Sequence, residues 1–134
     1  MNYDPVFDKW HEECGVFGVY DRTVDVARYV YWGLFALQHR GQESAGIAVT
    51  DGHDVELKKG MGLLTEAIKE LPSLPSYMGT GHVRYSTTGS NNPRNIQPLV
   101  IHYQGGQIAV AHNGNLTNAL SIRKRLEADG SIFQ

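Results

Sequence analysis

Apolar positions recur along the chain with two periods, and together they predict a mixed fold. Short apolar runs bounded by glycine and polar residues indicate strands, whereas apolar residues spaced three or four apart indicate helices. Strands are predicted at 14–20, 44–50, 55–59, 78–84, 99–103 and 107–111, with the start of another at 131–134. Helices are predicted from an N-cap at Thr23 to about His39, over 63–71 and over 116–126. Strands in pairs with helices between the pairs favour an α+β fold of antiparallel sheets with outer helices.

Two stretches fall outside this periodicity. Residues 1–13 mix Tyr3, Phe7 and Trp10 with acidic side chains and contain no apolar segment of a secretory signal, so we interpret them as an extended leader. Residues 85–98 form a polar loop rich in Ser, Thr, Asn, Gly and Pro. A loop of that length in a compact domain is usually functional or disordered.

Composition excludes several classes of function. The 134 residues carry a formal net charge of −2, so the chain lacks the excess of basic residues that nucleic-acid binding uses to contact phosphates. No apolar run approaches the length that spans a membrane. A single cysteine cannot form an intramolecular disulfide and suggests a reducing compartment, so a cytoplasmic location is expected. The six histidines lack ligand spacing, so no metal site is predicted.

The single cysteine, Cys14, opens the apolar run Cys14-Gly-Val-Phe-Gly directly after Glu12-Glu13. Most free cysteines are buried and structural, and that reading competes with catalysis here. Gly15 leaves room for a substrate, and the acidic residues mark an accessible junction. If the Glu13–Cys14 bond were cleaved, the new α-amine would titrate at about pH 8 and could act as the base for the thiol.

Three further stretches contain candidate polar residues. Arg84 lies where a strand opens into the polar loop, so it could clamp a carboxylate or simply pair with a nearby acid. His82 shares its strand face and is interpreted as a packed histidine. Asn113 and Gly114 form either a plain strand-to-helix turn or an oxyanion hole. The stretch 37–46 joins a helix to a strand and carries more kinds of polar side chain than a plain loop needs.

Together, the four stretches identify a family. Cys14-Gly-Val-Phe-Gly, Gln38-His-Arg-Gly-Gln-Glu-Ser-Ala-Gly-Ile47, Gly81-His-Val-Arg-Tyr-Ser-Thr87 and His112-Asn-Gly-Asn115 occur in the order and approximate spacing of one group of enzymes. The chain resembles the N-terminal-nucleophile (class II) glutamine amidotransferases. The second stretch is most similar to the branch that makes 5-phosphoribosylamine from phosphoribosylpyrophosphate, the first committed step of purine synthesis.

The resemblance implies a role for each matching residue. Cys14 is expected to attack the glutamine side-chain amide and form a γ-glutamyl thioester, with its own α-amine as acid and base. Asn113 and Gly114 are expected to form the oxyanion hole. Arg84 is expected to bind the α-carboxylate of glutamine, with Thr87 in the adjoining contact. Arg40 and Gly41 are expected to line the nucleophile.

The resemblance also implies an architecture and partners. A four-layer αββα sandwich (the Ntn-hydrolase fold) is expected, with residues 1–13 as a propeptide and 14–134 as the N-terminal part of the amidotransferase domain, here incomplete at the C-terminus. We expect the chain to be a piece of a longer enzyme that is a homo-oligomer, and the piece alone to be inactive. In the whole enzyme, Mg²⁺, phosphoribosylpyrophosphate and, in some members, an iron–sulfur (4Fe-4S) cluster are bound through residues beyond Gln134; no cofactor is expected within the segment.

Two alternatives stay open. The chain is the glutaminase part of a relative with another ammonia acceptor, of the glucosamine-6-phosphate synthase or asparagine synthetase type, or it is a binding module in which Cys14 is buried and inert.

Overall fold

Six strands and three α-helices make up the part of the chain that the computed structural model describes, residues 13–85, 92–114 and 116–133. The strands are β1 (Gly15–Tyr20), β2 (Ser44–Thr50), β3 (Val55–Met61), β4 (Met78–Arg84), β5 (Leu99–Tyr103) and β6 (Gly106–Val110). The α-helices are α1 (Val26–Ala36), α2 (Leu64–Ala67) and α3 (Ala119–Ala128), and short 3₁₀ turns occupy Gln38–Arg40 and Pro93–Asn95.

A four-stranded antiparallel sheet in the order β1-β4-β2-β3 organises the fold. Strand β4 lies between β1 and β2, with Gly15 opposite Val83 and Ser44 opposite Arg84. This register brings the start of β1, the start of β2 and the end of β4 together at one end of the sheet. Cys14, which directly precedes β1, therefore lies beside the end of β4 although Arg84 is far away in sequence.

Helix α1 covers one face of this sheet and forms the main core with it. The spacing of its apolar residues places one stripe inward, and Val30 and Leu34 are fully buried against the sheet. Glycines in the strands let the helix approach closely, because a Cβ on Gly81 would lie 2.7 Å or less from side-chain carbons of both residues. The core consists of Val26, Ala27, Val30, Leu34, Ala45, Ile47, Val49, Leu64, Ile68 and Val83.

Strands β5 and β6 form a second antiparallel sheet on the opposite face. The side chain of Gln107 on β6 accepts a hydrogen bond from the backbone of Val55 on β3 at 2.9 Å, which joins the two sheets. This arrangement confirms the predicted α+β fold of stacked antiparallel sheets. Within the described residues, no helix is long and apolar enough to cross a membrane.

Several element boundaries differ from the sequence prediction. The N-cap of α1 is Asp25, whose carboxylate accepts from the backbone of Arg28 at 3.1 Å; Thr23 instead donates to the side chain of Asp21. The helix ends at Ala36, and a 3₁₀ turn replaces its predicted last residues.

Two other predicted elements also differ, one helix that is shorter and one strand that does not form in its described residues. The helix expected over 63–71 ends at Ala67, since Ile68 leaves the helical conformation to bury its side chain in the core. Beyond it, the carboxylate of Glu56 accepts backbone hydrogen bonds from Ser73 and Leu74, which hold the chain in a loop. The strand expected at 131–134 is absent from 131–133, where the chain has no regular structure.

Candidate active site

A cleft of about 290 Å³ lies at the end of the sheet where β1 begins and β4 ends. Its lining includes Cys14, Arg84, Asn113 and Gly114, so four of the residues singled out in the sequence share one site. A larger cleft, of about 630 Å³, lies between the two sheets around the other end of β1, and no cysteine, histidine, arginine or acidic side chain lines it. The smaller cleft is therefore the candidate active site.

The thiol of Cys14 contacts the backbone of Tyr85, the residue that follows β4. Its Sγ lies 3.5 Å from both the backbone N and the backbone O of Tyr85, so the thiol can donate to one and accept from the other. Its backbone φ is +53°, a left-handed conformation that non-glycine residues seldom adopt. The thiol is half-buried rather than enclosed in the core, which leaves it open to the cleft.

Arg84 has protein partners but retains donors for a ligand. Its Nε lies 3.7 Å from Oε2 of Glu43, with both side chains about 15% exposed, and its Nη1 donates to the backbone O of Asn95 at 3.0 Å. The sequence left open whether Arg84 pairs with an acid or binds a carboxylate. The acid is present, and because a guanidinium has five N–H donors, these two contacts orient it while others remain for a ligand.

Arg40 and Gly41 support the nucleophile from the side of β4. The Nε of Arg40 donates to the backbone O of Cys14 at 2.8 Å. Gly41 packs against the β4 backbone so closely that a Cβ would lie 2.6–2.7 Å from atoms of Val83 and Arg84. The side chain of Gln38 bonds to the backbone O of Gly41 and accepts from the backbone of Leu64, which fixes this turn. Gln38 and Arg40 of the stretch 37–46 thus have structural partners.

Asn113 and Gly114 follow the end of β6 and close the other side of the cleft. Gly114 has a φ of +139°, and a Cβ there would lie 3.3 Å from the ring of His112, so the turn strongly favours glycine. The backbone N–H of His112 donates to Oε1 of Gln97 at 2.6 Å. Asn113 is exposed, so its amide and the Gly114 N–H are available to a charge that develops in the cleft.

His82 lies at the base of the cleft, and its environment keeps it uncharged. The side chain is 1% exposed, and burial lowers its pKa to about 4. The backbone of His112 opposes this shift, whereas the charge of Arg84 reinforces it. The imidazole is therefore neutral at physiological pH.

Sequence reasoning missed three contributors to this site. Tyr85 acts through its backbone and has no side-chain signature. Asn95 and Gln97 belong to the long polar loop, whose length was the only available signal. The predicted substrate contact Thr87 lies outside the described residues. Within those residues no group of three histidine, cysteine or acidic side chains could hold a metal ion.

Comparison with known proteins agrees with this geometry. A family model described as class II glutamine amidotransferases matches residues 40–130, which is more than half of the chain. The chain belongs to the class II glutamine amidotransferases. Among curated relatives of this amidotransferase, the amidophosphoribosyltransferase of Methanocaldococcus jannaschii is 50% identical over 90% of the chain, and that of Staphylococcus aureus is 48% identical over 92%.

A solved structure shows the same fold. The glutamine phosphoribosylpyrophosphate amidotransferase from B. subtilis, complexed with ADP and GMP, superposes on 89% of the present chain with a TM-score of 0.78 at 44% identity. This likeness confirms the predicted N-terminal-nucleophile fold. The chain spans about a quarter of the length of these relatives, 26% and 25% of the curated proteins and 26% of the solved chain.

Proposed function

We propose that the chain carries the glutaminase site of an amidophosphoribosyltransferase. The observation that carries this proposal is the convergence of Cys14, Arg84, Asn113 and Gly114 on one cleft of about 290 Å³. A cleft of that size suits a small amino acid. The names of the curated relatives support phosphoribosylpyrophosphate as the acceptor of the ammonia.

In the proposed reaction, Arg84 binds the α-carboxylate of glutamine and places the side-chain amide beside the thiol. The α-amine of Cys14 takes the thiol proton and becomes an α-ammonium group, and the thiolate sulfur attacks the amide carbon. The carbonyl oxygen becomes an oxyanion that accepts hydrogen bonds from Asn113 and Gly114. When the C–N bond breaks, ammonia leaves with a proton from the α-ammonium group of Cys14, and a γ-glutamyl thioester remains. Water then hydrolyses the thioester to glutamate and restores the thiol.

This mechanism requires a free amine on Cys14, so residues 1–13 are proposed to be a propeptide. The division at Glu13–Cys14, the role of Thr87, the homo-oligomer and the cytoplasmic location stay predictions. The Mg²⁺ and iron–sulfur expectations concern residues beyond Gln134 and also stay predictions.

Covalent labelling tests the proposal. The full natural chain with Cys14 at its N-terminus is incubated with diazo-oxo-norleucine, a glutamine-like electrophile, and intact mass is measured. We expect one label per chain, on Cys14, and a labelling rate reduced at least about tenfold by Arg84→Ala, because the α-carboxylate loses its partner.

Arg94→Ala is the matched control, since Arg94 is an exposed arginine outside the lining of the cleft. A folded protein that takes no label would contradict the proposal and favour the inert binding module. Equal labelling of the wild type and Arg84→Ala would remove Arg84 from the glutamine site.

A further inference from the structure

His82 has a position that its proposed neighbours do not share. Cys14 and Arg84 are half-buried and Asn113 and Gly114 are exposed, but His82 is only 1% exposed beneath them. A side chain with so little free surface cannot make a substantial contact with a bound amino acid. Any effect of His82 on the reaction must therefore act through another residue.

The imidazole also lacks settled partners. Neither ring nitrogen makes a hydrogen bond within the described residues, although a buried polar group normally has one. The backbone of His112 lies close enough to the ring to raise its pKa, although the contact lacks the geometry of a full hydrogen bond. Both residues line the same cleft. A neutral imidazole carries one N–H donor and one acceptor, so it can complete that bond with a small shift.

His112 links His82 to Asn113 and Gly114, the two proposed donors to the oxyanion. Its backbone N–H is already bonded to Oε1 of Gln97 at 2.6 Å, which holds one side of this residue. Asn113 and Gly114 follow directly, and the His112 ring lies against the Gly114 backbone. The placement of both oxyanion donors therefore depends on how the backbone of His112 is held.

We propose that His82 is a positioning residue that bonds the backbone of His112 and thereby holds Asn113 and Gly114 at the oxyanion of the Cys14 adduct. The inference rests on the proposed glutaminase function. Hydrogen bonds in free active sites are often long and tighten when substrate binds, so the incomplete contact in the free chain fits this role. The neutral ring also adds no second cation beside Arg84 that would compete for the carboxylate of glutamine.

Steady-state glutamate release tests this inference in the full natural chain with Cys14 at its N-terminus. His82→Phe keeps the ring and removes both nitrogens. We expect kcat to fall about 10- to 100-fold, because the oxyanion donors are misplaced in the transition state. The KM for glutamine and the inhibition constant of glutamate should change less than about twofold, because ground-state binding depends on Arg84.

Conservative variants and a matched control separate positioning from folding. His82→Asn and His82→Gln each place an amide near the position of one ring nitrogen. One of them should recover at least about a third of the decrease in log kcat that His82→Phe causes. His102→Phe alters an exposed strand histidine and should leave kcat unchanged. If His82→Phe does not fold, the two amide variants carry the test, and one should exceed the other in kcat at unchanged KM.

Three outcomes would overturn the inference. Wild-type kcat in all folded variants would remove His82 from the reaction. A raised KM at constant kcat would make it a substrate contact. An equal loss of kcat and of glutamate affinity in both amide variants would make it a general structural residue. Failure of the proposed function is distinct, since the wild type itself would then release no glutamate.

Discussion

Cys14 combines an unusual backbone conformation with a well-defined thiol position. A non-glycine residue in the left-handed region costs about 1–2 kcal/mol, and the φ of +53° is defined by the Glu13–Cys14 peptide bond. Cleavage of that bond would remove the constraint, whereas the contacts of Sγ with Tyr85 would remain. Strain of this kind at a nucleophile is an observation that supports a functional site.

The buried His82 makes a prediction about acid stability. Its folded-state pKa is lowered to about 4 from an ordinary value of 6.5. Between these values the unfolded chain binds a proton that the folded chain does not, so stability falls as pH drops from 6.5 towards 4. At pH 4.5 this difference in proton binding lowers the free energy of unfolding by about 2–3 kcal/mol.

The unfolding free energy is measured in urea at pH 7.5 and pH 4.5. Wild type should lose about 2–3 kcal/mol more than His82→Gln over this interval. His102→Gln, which changes an exposed histidine, should behave like the wild type. The same pH dependence in wild type and His82→Gln would show that His82 is not the group responsible.

The contact between α1 and β1 shows how glycine sets the spacing of two elements. A Cβ on Gly33 would lie 2.4 Å from the ring of Phe17, which is too close for any real contact. Alanine normally stabilises a helix interior by about 1 kcal/mol relative to glycine. Here the steric conflict should exceed that gain.

Gly33→Ala should therefore lower the unfolding free energy by about 1–3 kcal/mol, measured by urea denaturation. Gly18→Ala is the matched control, since the nearest atom to its Cβ would be 3.8 Å away, an ordinary contact. The double variant Phe17→Ala with Gly33→Ala should cost less than the sum of the single variants. Additive effects would mean that the ring and the glycine do not share the predicted conflict.

Most elements were predictable because their patterns are local. Strands β2, β4 and β5 match the predicted bounds, since each is an apolar run bounded by turn residues. The early end of α2 is an error of another kind, because distant contacts override local preference there. Ile68 leaves its predicted helix to enter the core, and Glu56, on another strand, holds the loop that follows.

At the level of the whole molecule, activity is predicted to depend on the leader. The form that begins at Met1 lacks a free amine on Cys14, so the thiol has no base and ammonia has no proton donor. Glutamate release should be undetectable in that form and present in the form that begins at Cys14.

Both forms are prepared as the full natural chain, and intact mass confirms each N-terminus. Cys14→Ser in the cleaved form is the control for the nucleophile, and it should reduce glutamate release by at least about 10³-fold. Measurable release from the Met1 form would contradict the propeptide and require another base near Sγ.

Local patterns were enough to predict the six observed strands, the existence of the three α-helices, the candidate nucleophile and the family, because they depend on side-chain period and on short motifs. They also identified Arg84, Asn113 and Gly114 as candidates. The packing of His82 was also predicted and is confirmed by its 1% exposure. The pairing of Arg84 with Glu43, the lowered pKa of His82 and the support of His112 by Gln97 were not predictable. These features arise from groups far apart in the chain, and their energies depend on burial and distance, which exist only once the sheets have packed.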